Sequence, residues 1–222
     1  MASYVKRWEG KGTSIGGLFG AEIYANSAEV LSWSRTQQAA FLVVVWQLVA
    51  SAVATTNENW AQHLRRIPLQ RQLSSHALQE LDPAFISNYS LLATDQGVRG
   101  VLQVTNDMCY VGAERLHLTT WYWTSAAGGD LIENSAVDEA IESLENTPSL
   151  DWLKLIAEEL MKVDWRTSST PDLDQATSRA QMIYRGSGGY KELRQQLIHT
   201  LEQSEIELIR NIARDVRNRL RY

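Results

Sequence analysis

Apolar positions recur with a helical period along much of the chain. Val98 to Gly112 carries apolar or small residues three and four positions apart, as one face of an α-helix does. The same spacing recurs from Leu150 to Val163 and from Ile209 to Leu220. About eight or nine segments are helical by these signals, and strand patterns hardly occur. The sequence therefore predicts an all-α protein, built as a compact multi-helix domain.

Side chains suited to capping a helix stand ahead of four of these segments. A serine or threonine at this point accepts from a first-turn amide, and a polar residue three positions later, or a proline directly after it, strengthens the signal. The pairs are Ser34 with Gln37, Ser135 with Asp138, Ser204 with Glu207, and Thr170 with Pro171. The last pair predicts a helix that starts at Thr170 and stops near Gly186.

The most apolar run extends from Ala39 to Ala54. It is shorter than the roughly 20 residues that a bilayer span needs, and it contains Gln47 and Ser51. We interpret it as a buried central helix and expect no membrane contact.

One segment could form strands. Leu116 to Trp123 is rich in β-branched and aromatic residues and is followed by Gly128 and Gly129, which allows one short hairpin or an extended arm. For domain organisation, we predict a glycine-rich N-terminal arm over residues 1–26 and a single α-helical domain over 27–222. An internal break near 125–134 is the alternative.

Composition limits the class of protein. The single cysteine, Cys109, excludes an intramolecular disulfide and cysteine-rich metal centres, which favours a reducing, cytoplasmic location. The N-terminus turns glycine-rich where a secretory signal would be apolar. The net charge of −5 argues against a wholly basic nucleic-acid-binding surface. Residues 130–164 carry ten acidic side chains, whereas residues 210–222 carry five arginines, so the two regions could pair or face different partners.

The stretch from Trp8 to Gly20 contains five glycines and Lys11. Its spacing matches neither a phosphate-binding loop nor a dinucleotide fingerprint, because the lysine follows the first glycine and no strand precedes it. We interpret it as an interaction arm, with a nucleotide-sensing role as a minor alternative.

Arg194 and His199 are the best catalytic candidates. Their R-x4-H spacing resembles the signature of HEPN ribonucleases, all-helical proteins that often dimerise to complete a composite site. The resemblance implies that histidine moves a proton while arginine stabilises phosphorane charge, without a metal. The alternative is a surface arginine one turn before a half-buried histidine on an amphipathic helix.

A second group of polar residues surrounds the helix that begins near Thr94. Carboxylates and a histidine could hold a divalent metal there, although an ordinary polar stripe with close glycine packing explains the pattern better. The residues are Asp95, Arg99, Asn106, Asp107, Glu114 and His117. We predict no metal site and no cofactor, and we expect Cys109 to act as a small apolar residue.

The C-terminal helix is the clearest binding feature. Its arginine stripe, defined as Arg210, Arg214, Arg217 and Arg221, lies one residue away from an apolar stripe. Such a helix can dock by its apolar face and offer guanidiniums to phosphates or carboxylates. Arg65 and Arg66 could extend this surface. The alternative is a solvated set of cations favoured by the helix dipole.

Aromatic residues offer a further contact. Trp121, Tyr122 and Trp123 cannot all point inward from one short segment, so at least one is expected at the surface to stack on a base or anchor a protein.

These observations favour a non-catalytic helical subunit or adaptor in a larger cytoplasmic assembly of prokaryotic type. We expect protein partners, reached through the N-terminal arm, the Trp-rich segment and the arginine stripe. A nucleoprotein assembly of the antiviral-defence kind would suit the arginines. The alternative function is a metal-independent ribonuclease that uses Arg194 and His199.

Overall fold

The computed structural model describes residues 31, 33–69, 81–124, 134–186 and 188–220. Nine α-helices lie in these ranges, with short 3₁₀ turns and loops between them. They are α1 Arg35–Thr55, α2 Asn59–Arg66, α3 Pro83–Ile86, α4 Asp95–Gly112, α5 Asn134–Glu145, α6 Pro148–Leu160, α7 Gln175–Gln181, α8 Gly189–Glu202 and α9 Glu207–Leu220. The described ranges contain no strand, only one isolated bridge between Ser90 and Arg166. The all-α prediction is confirmed.

Two long helices organise the packing. α1 packs against α5 and α6, while α4 packs against α8 and α9, and α8 also contacts α6. Phe41 of α1, Met108 of α4 and Trp165 of the loop after α6 are fully buried in the shared core. Since α4 is buried at every position from Gln103 to Cys109, it is the most enclosed of the described helices.

α1 begins as its sequence predicts. The Gln37 amide donates to Ser34 Oγ at 3.2 Å and the Ser34 amide donates to Gln37 Oε1 at 3.1 Å, which completes the capping box. Phe41 and Val45 are buried, whereas Val43 is exposed. Within the described ranges, α1 is the one helix long and apolar enough to cross a membrane, a test that buried core helices also meet.

The helix predicted from Thr170 starts later. α7 begins at Gln175, where Asp174 caps it by accepting from the Thr177 amide at 2.9 Å. Thr170 instead closes a preceding turn, because its hydroxyl donates to the Thr167 carbonyl at 2.8 Å. The expected start was therefore wrong by about a turn, although Gly186 does adopt a left-handed φ of 77° beyond the helix.

Other local predictions were also displaced. α5 begins at Asn134, so Ser135 lies inside the helix rather than before it. Ser204 Oγ accepts from the Ile206 amide rather than from the Glu207 amide that the capping pattern predicted. Of the two alternatives for Leu116 to Trp123, a short hairpin or an extended arm, the hairpin is not formed within the described residues, since Leu118–Thr120 forms a 3₁₀ turn and residues 121–124 form no strand. The N-terminal arm (1–26) and most of the suggested break (125–133) lie outside the described residues.

Candidate functional site

The C-terminal helix docks by the apolar stripe that its sequence predicts. Ile209, Ile212, Ala213 and Val216 are buried against α4 and α8. The contact is close, because a Cβ on Gly112 of α4 would lie 2.7 Å from Ile212 Cδ1. With this face covered, the remaining sides of α9 face outward.

The arginine stripe lies on the flank of α9 that faces the end of α8. Arg210 Nη1 donates to the Ser204 carbonyl at 2.8 Å, and Arg217 Nη1 donates to Glu202 Oε2 at 2.9 Å. Arg214, between them, is exposed. Arg221 lies outside the described residues. The stripe is therefore a surface feature, anchored at two described points.

Glu202 connects this stripe to His199. It is the last residue of α8 and only 7% exposed, and its Oε2 lies 3.9 Å from His199 Nδ1. The side chains of His199 and Arg217 are 60% and 53% exposed. An imidazole and a guanidinium thus approach the same buried carboxylate oxygen while keeping much of their surface in solvent.

The opposite flank of α9 carries a separate ion pair. Arg115, in the turn after α4, contacts Asp215 Oδ2 through Nη2 at 2.8 Å. Arg219 is exposed on this side. Among the described residues, Arg217 of the arginine stripe pairs with Glu202 and not with a carboxylate of the acidic segment 130–164. The pairing between these two regions that the sequence suggested is therefore not seen for Arg217.

Arg194 is placed very differently from His199. It is 7% exposed, and its Nε donates to Asp107 Oδ2 of α4 at 2.6 Å, with Nη2 also in contact with that carboxylate. Asn106 Nδ2 donates to the other oxygen of Asp107 at 3.3 Å. Arg194 and His199 of the R-x4-H pair therefore do not face one common site within a single chain, because a buried carboxylate holds the arginine in the interior.

The second polar group is dispersed as well. Asp107 is buried with Arg194, whereas Asp95 is exposed and contacts Arg99 at 3.0 Å. Glu114 and His117 are exposed in the turn after α4, with His117 at a left-handed φ of 58°. Across the described part of the chain, no three His, Cys, Asp or Glu side chains are grouped to hold a metal.

Cys109 cannot serve as a ready nucleophile. It is fully buried on α4, and this burial raises the pKa of its thiol far above the usual range. Because only the thiolate is strongly nucleophilic, the side chain acts in packing.

Arg65 and Arg66 have different environments. Arg65 Nε donates to Asp82 Oδ2 at 2.9 Å, and its Nη atoms donate to the Val53 and Thr56 carbonyls at 2.6 and 3.0 Å. It therefore ties the end of α1 to α2, while its place in a binding surface stays a prediction. Arg66 is exposed.

The Trp-rich segment exposes its tyrosine. Trp121 is 4% exposed, stacks edge-on against Trp33 at 4.8 Å, and donates from Nε1 to Ser143 Oγ at 3.3 Å. Trp123 is half-buried, while Tyr122 is 82% exposed. Trp121 therefore belongs to the core, and Tyr122 is the ring of this segment that lies at the surface.

The contact that Glu202 makes was not predicted from the sequence. Its contact with Arg217 depends on how α9 folds back on α8, which the spacing of one helix does not reveal. One signal was present, because a carboxylate at the last residue of a helix opposes the helix dipole and needs a compensating cation.

Comparison of the chain with protein-family models, with curated proteins and with solved structures finds no match.

Proposed function

We propose that the protein is a non-catalytic helical subunit or adaptor of a nucleoprotein assembly, which it contacts through the arginine stripe. The observation that carries this proposal is the exposure of Arg214 and Arg217 on a helix whose apolar face is already docked. Exposed guanidiniums on a rigid helix can bind phosphates, as charge-assisted and often bidentate donors.

The placement of the catalytic candidates favours binding over catalysis. Arg194 is held by Asp107 in the interior, away from the exposed His199. A ribonuclease site would need both groups at one phosphate. The ribonuclease alternative therefore has no support from the arrangement within one chain.

Four further expectations from the sequence belong to this proposal. They are the cytoplasmic location, the antiviral-defence setting, the protein partners and the contact through the N-terminal arm. Tyr122 replaces Trp121 as the aromatic residue offered to a partner, because it is the exposed ring of that segment.

Binding to labelled single-stranded RNA and to a DNA duplex, measured by fluorescence anisotropy over a salt series, tests the proposal. We expect binding that weakens steeply with salt, because counterions are released from the nucleic acid. Arg214→Glu/Arg217→Glu should abolish it. Arg179→Glu/Arg185→Glu is the matched control, since both arginines are exposed and the charge change is the same.

Equal loss in both double variants would assign the binding to net charge rather than to α9. No binding by the unmodified protein would overturn the proposal. Metal-independent RNA cleavage that His199→Ala removes would instead favour the ribonuclease.

A further inference from the structure

We infer that His199 and Arg217 form one phosphate-binding site at the edge between α8 and α9. The inference rests on the proposed function, and it names the place where a phosphodiester group of the nucleic acid is held. It also gives His199 a binding role that does not involve Arg194.

The two side chains are brought together by Glu202. Arg217 Nη1 donates to Glu202 Oε2 at 2.9 Å, and His199 Nδ1 lies 3.9 Å from the same oxygen. Because Glu202 is almost completely buried, it fixes one edge of the guanidinium from below. Arginine has five N–H donors, so this contact leaves donors on an exposed side chain for a second acceptor.

The surroundings of the pair favour an anion. Arg214 lies three positions before Arg217 and is exposed on the same flank. The residues four positions before and after His199, Gln195 on α8 and Gln203 at its C-terminal cap, are exposed carboxamides, which add hydrogen-bonding groups without negative charge. Glu202 is the carboxylate that contacts Arg217, and the exposed Glu205 and Glu207 stand before Arg210, in the turn and at the start of α9.

The surface suits a nucleic acid better than a protein. Protein interfaces are usually centred on apolar or aromatic anchors, whereas nucleic-acid interfaces are polar and positively charged. In the described part of the chain, the exposed large apolar side chains are Val43, Leu69, Tyr122, Met182 and Ile183, and all of them lie outside α8 and α9. Among the described residues, the site therefore offers donors and cations with no exposed large apolar side chain on α8 or α9.

Single substitutions with matched controls test the site. In the anisotropy assay with single-stranded RNA, we expect Arg217→Ala to weaken binding about tenfold and His199→Ala about threefold. Arg219→Ala removes the same charge from the opposite flank of α9, and His117→Ala removes another exposed histidine. Both controls should change the affinity by less than about twofold.

Arg217→Ala also leaves Glu202 without its cation, so a second variant guards against a loss of folding. Arg217→Lys keeps a positive charge beside Glu202 but lacks the planar fork, and it should also weaken binding. In addition, NMR of the unmodified protein should show the ring signals of His199 shifting on addition of the RNA while those of His117 stay in place.

Equal losses from Arg217→Ala and Arg219→Ala, or unshifted His199 signals, would overturn the site while leaving salt-sensitive binding, and so the proposed function, intact. Failure of the unmodified protein to bind RNA or DNA would overturn both. Binding of an acidic peptide in place of RNA would also overturn the inference.

Discussion

Asp107 and Arg194 are opposite charges that α4 and α8 bury against each other. Their contact removes both groups from water, and a desolvation cost of several kcal/mol offsets most of the attraction between them. The pair therefore adds little net stability over an apolar pair of similar size. Loss of one partner is a different matter, because the other charge stays buried without compensation.

We accordingly expect Asp107→Ala to lower the free energy of unfolding by about 3–5 kcal/mol. The double variant Asp107→Leu/Arg194→Met should recover most of that loss, since no charge is left unpaired. Arg115→Ala is the control, because its pair with Asp215 is largely exposed and worth under about 1 kcal/mol. Urea denaturation measures the free energy of unfolding of each of these variants. A loss in Asp107→Ala no larger than that in Arg115→Ala would contradict this account.

At the level of elements, two signals confined to one helix predicted the structure well, whereas the capping signals at Ser135, Thr170 and Ser204 were displaced. The two signals are the capping box at Ser34 and the periodic face of α4, and both relate residues three or four positions apart, so tertiary contacts need not change them. Thr170 was misplaced because its hydroxyl bonds within a turn whose Thr167 amide donates to Tyr89, far away in the chain. The same distinction explains the site, since the stripe on α9 was predictable whereas the burial of Arg194 depends on a residue 87 positions away.

Gly97 in the first turn of α4 gives a test of packing between elements. A Cβ at this position would overlap the carbonyl oxygen of Leu91, which is already fixed by hydrogen bonds from the amide and hydroxyl of Thr94. We expect Gly97→Ala to lower the free energy of unfolding by about 1–3 kcal/mol despite the higher helix propensity of alanine. Gly188→Ala, where a Cβ meets open space, should change it by less than about 1 kcal/mol in either direction. Urea denaturation measures the free energy of unfolding of both variants. Equal changes in the two variants would show that the overlap at Gly97 is relieved without loss of stability.

Across the whole molecule, the proposed binding surface depends on contacts made deep in the fold. α9 presents the arginine stripe only because its apolar face is packed on α4 and α8. Glu202 can hold Arg217 only because the turn at Ser204 brings α9 back along α8, and Arg210 ties that turn through the Ser204 carbonyl. Binding and folding should therefore be lost together when the core is weakened.

Despite the suggested break near residues 125–134, we predict that the chain unfolds in a single transition. The long helices before the break pack mainly against helices after it, α1 on α5 and α6, and α4 on α8 and α9. Hydrogen bonds cross it too, since Trp60 Nε1 donates to the Met161 carbonyl at 2.8 Å and the Leu91 amide donates to the Trp165 carbonyl at 2.7 Å. Neither side can then keep its core when the other unfolds, so urea curves from tryptophan fluorescence and far-ultraviolet circular dichroism should coincide. Asp107→Ala should shift both curves equally, whereas two separated transitions would favour the division into two units.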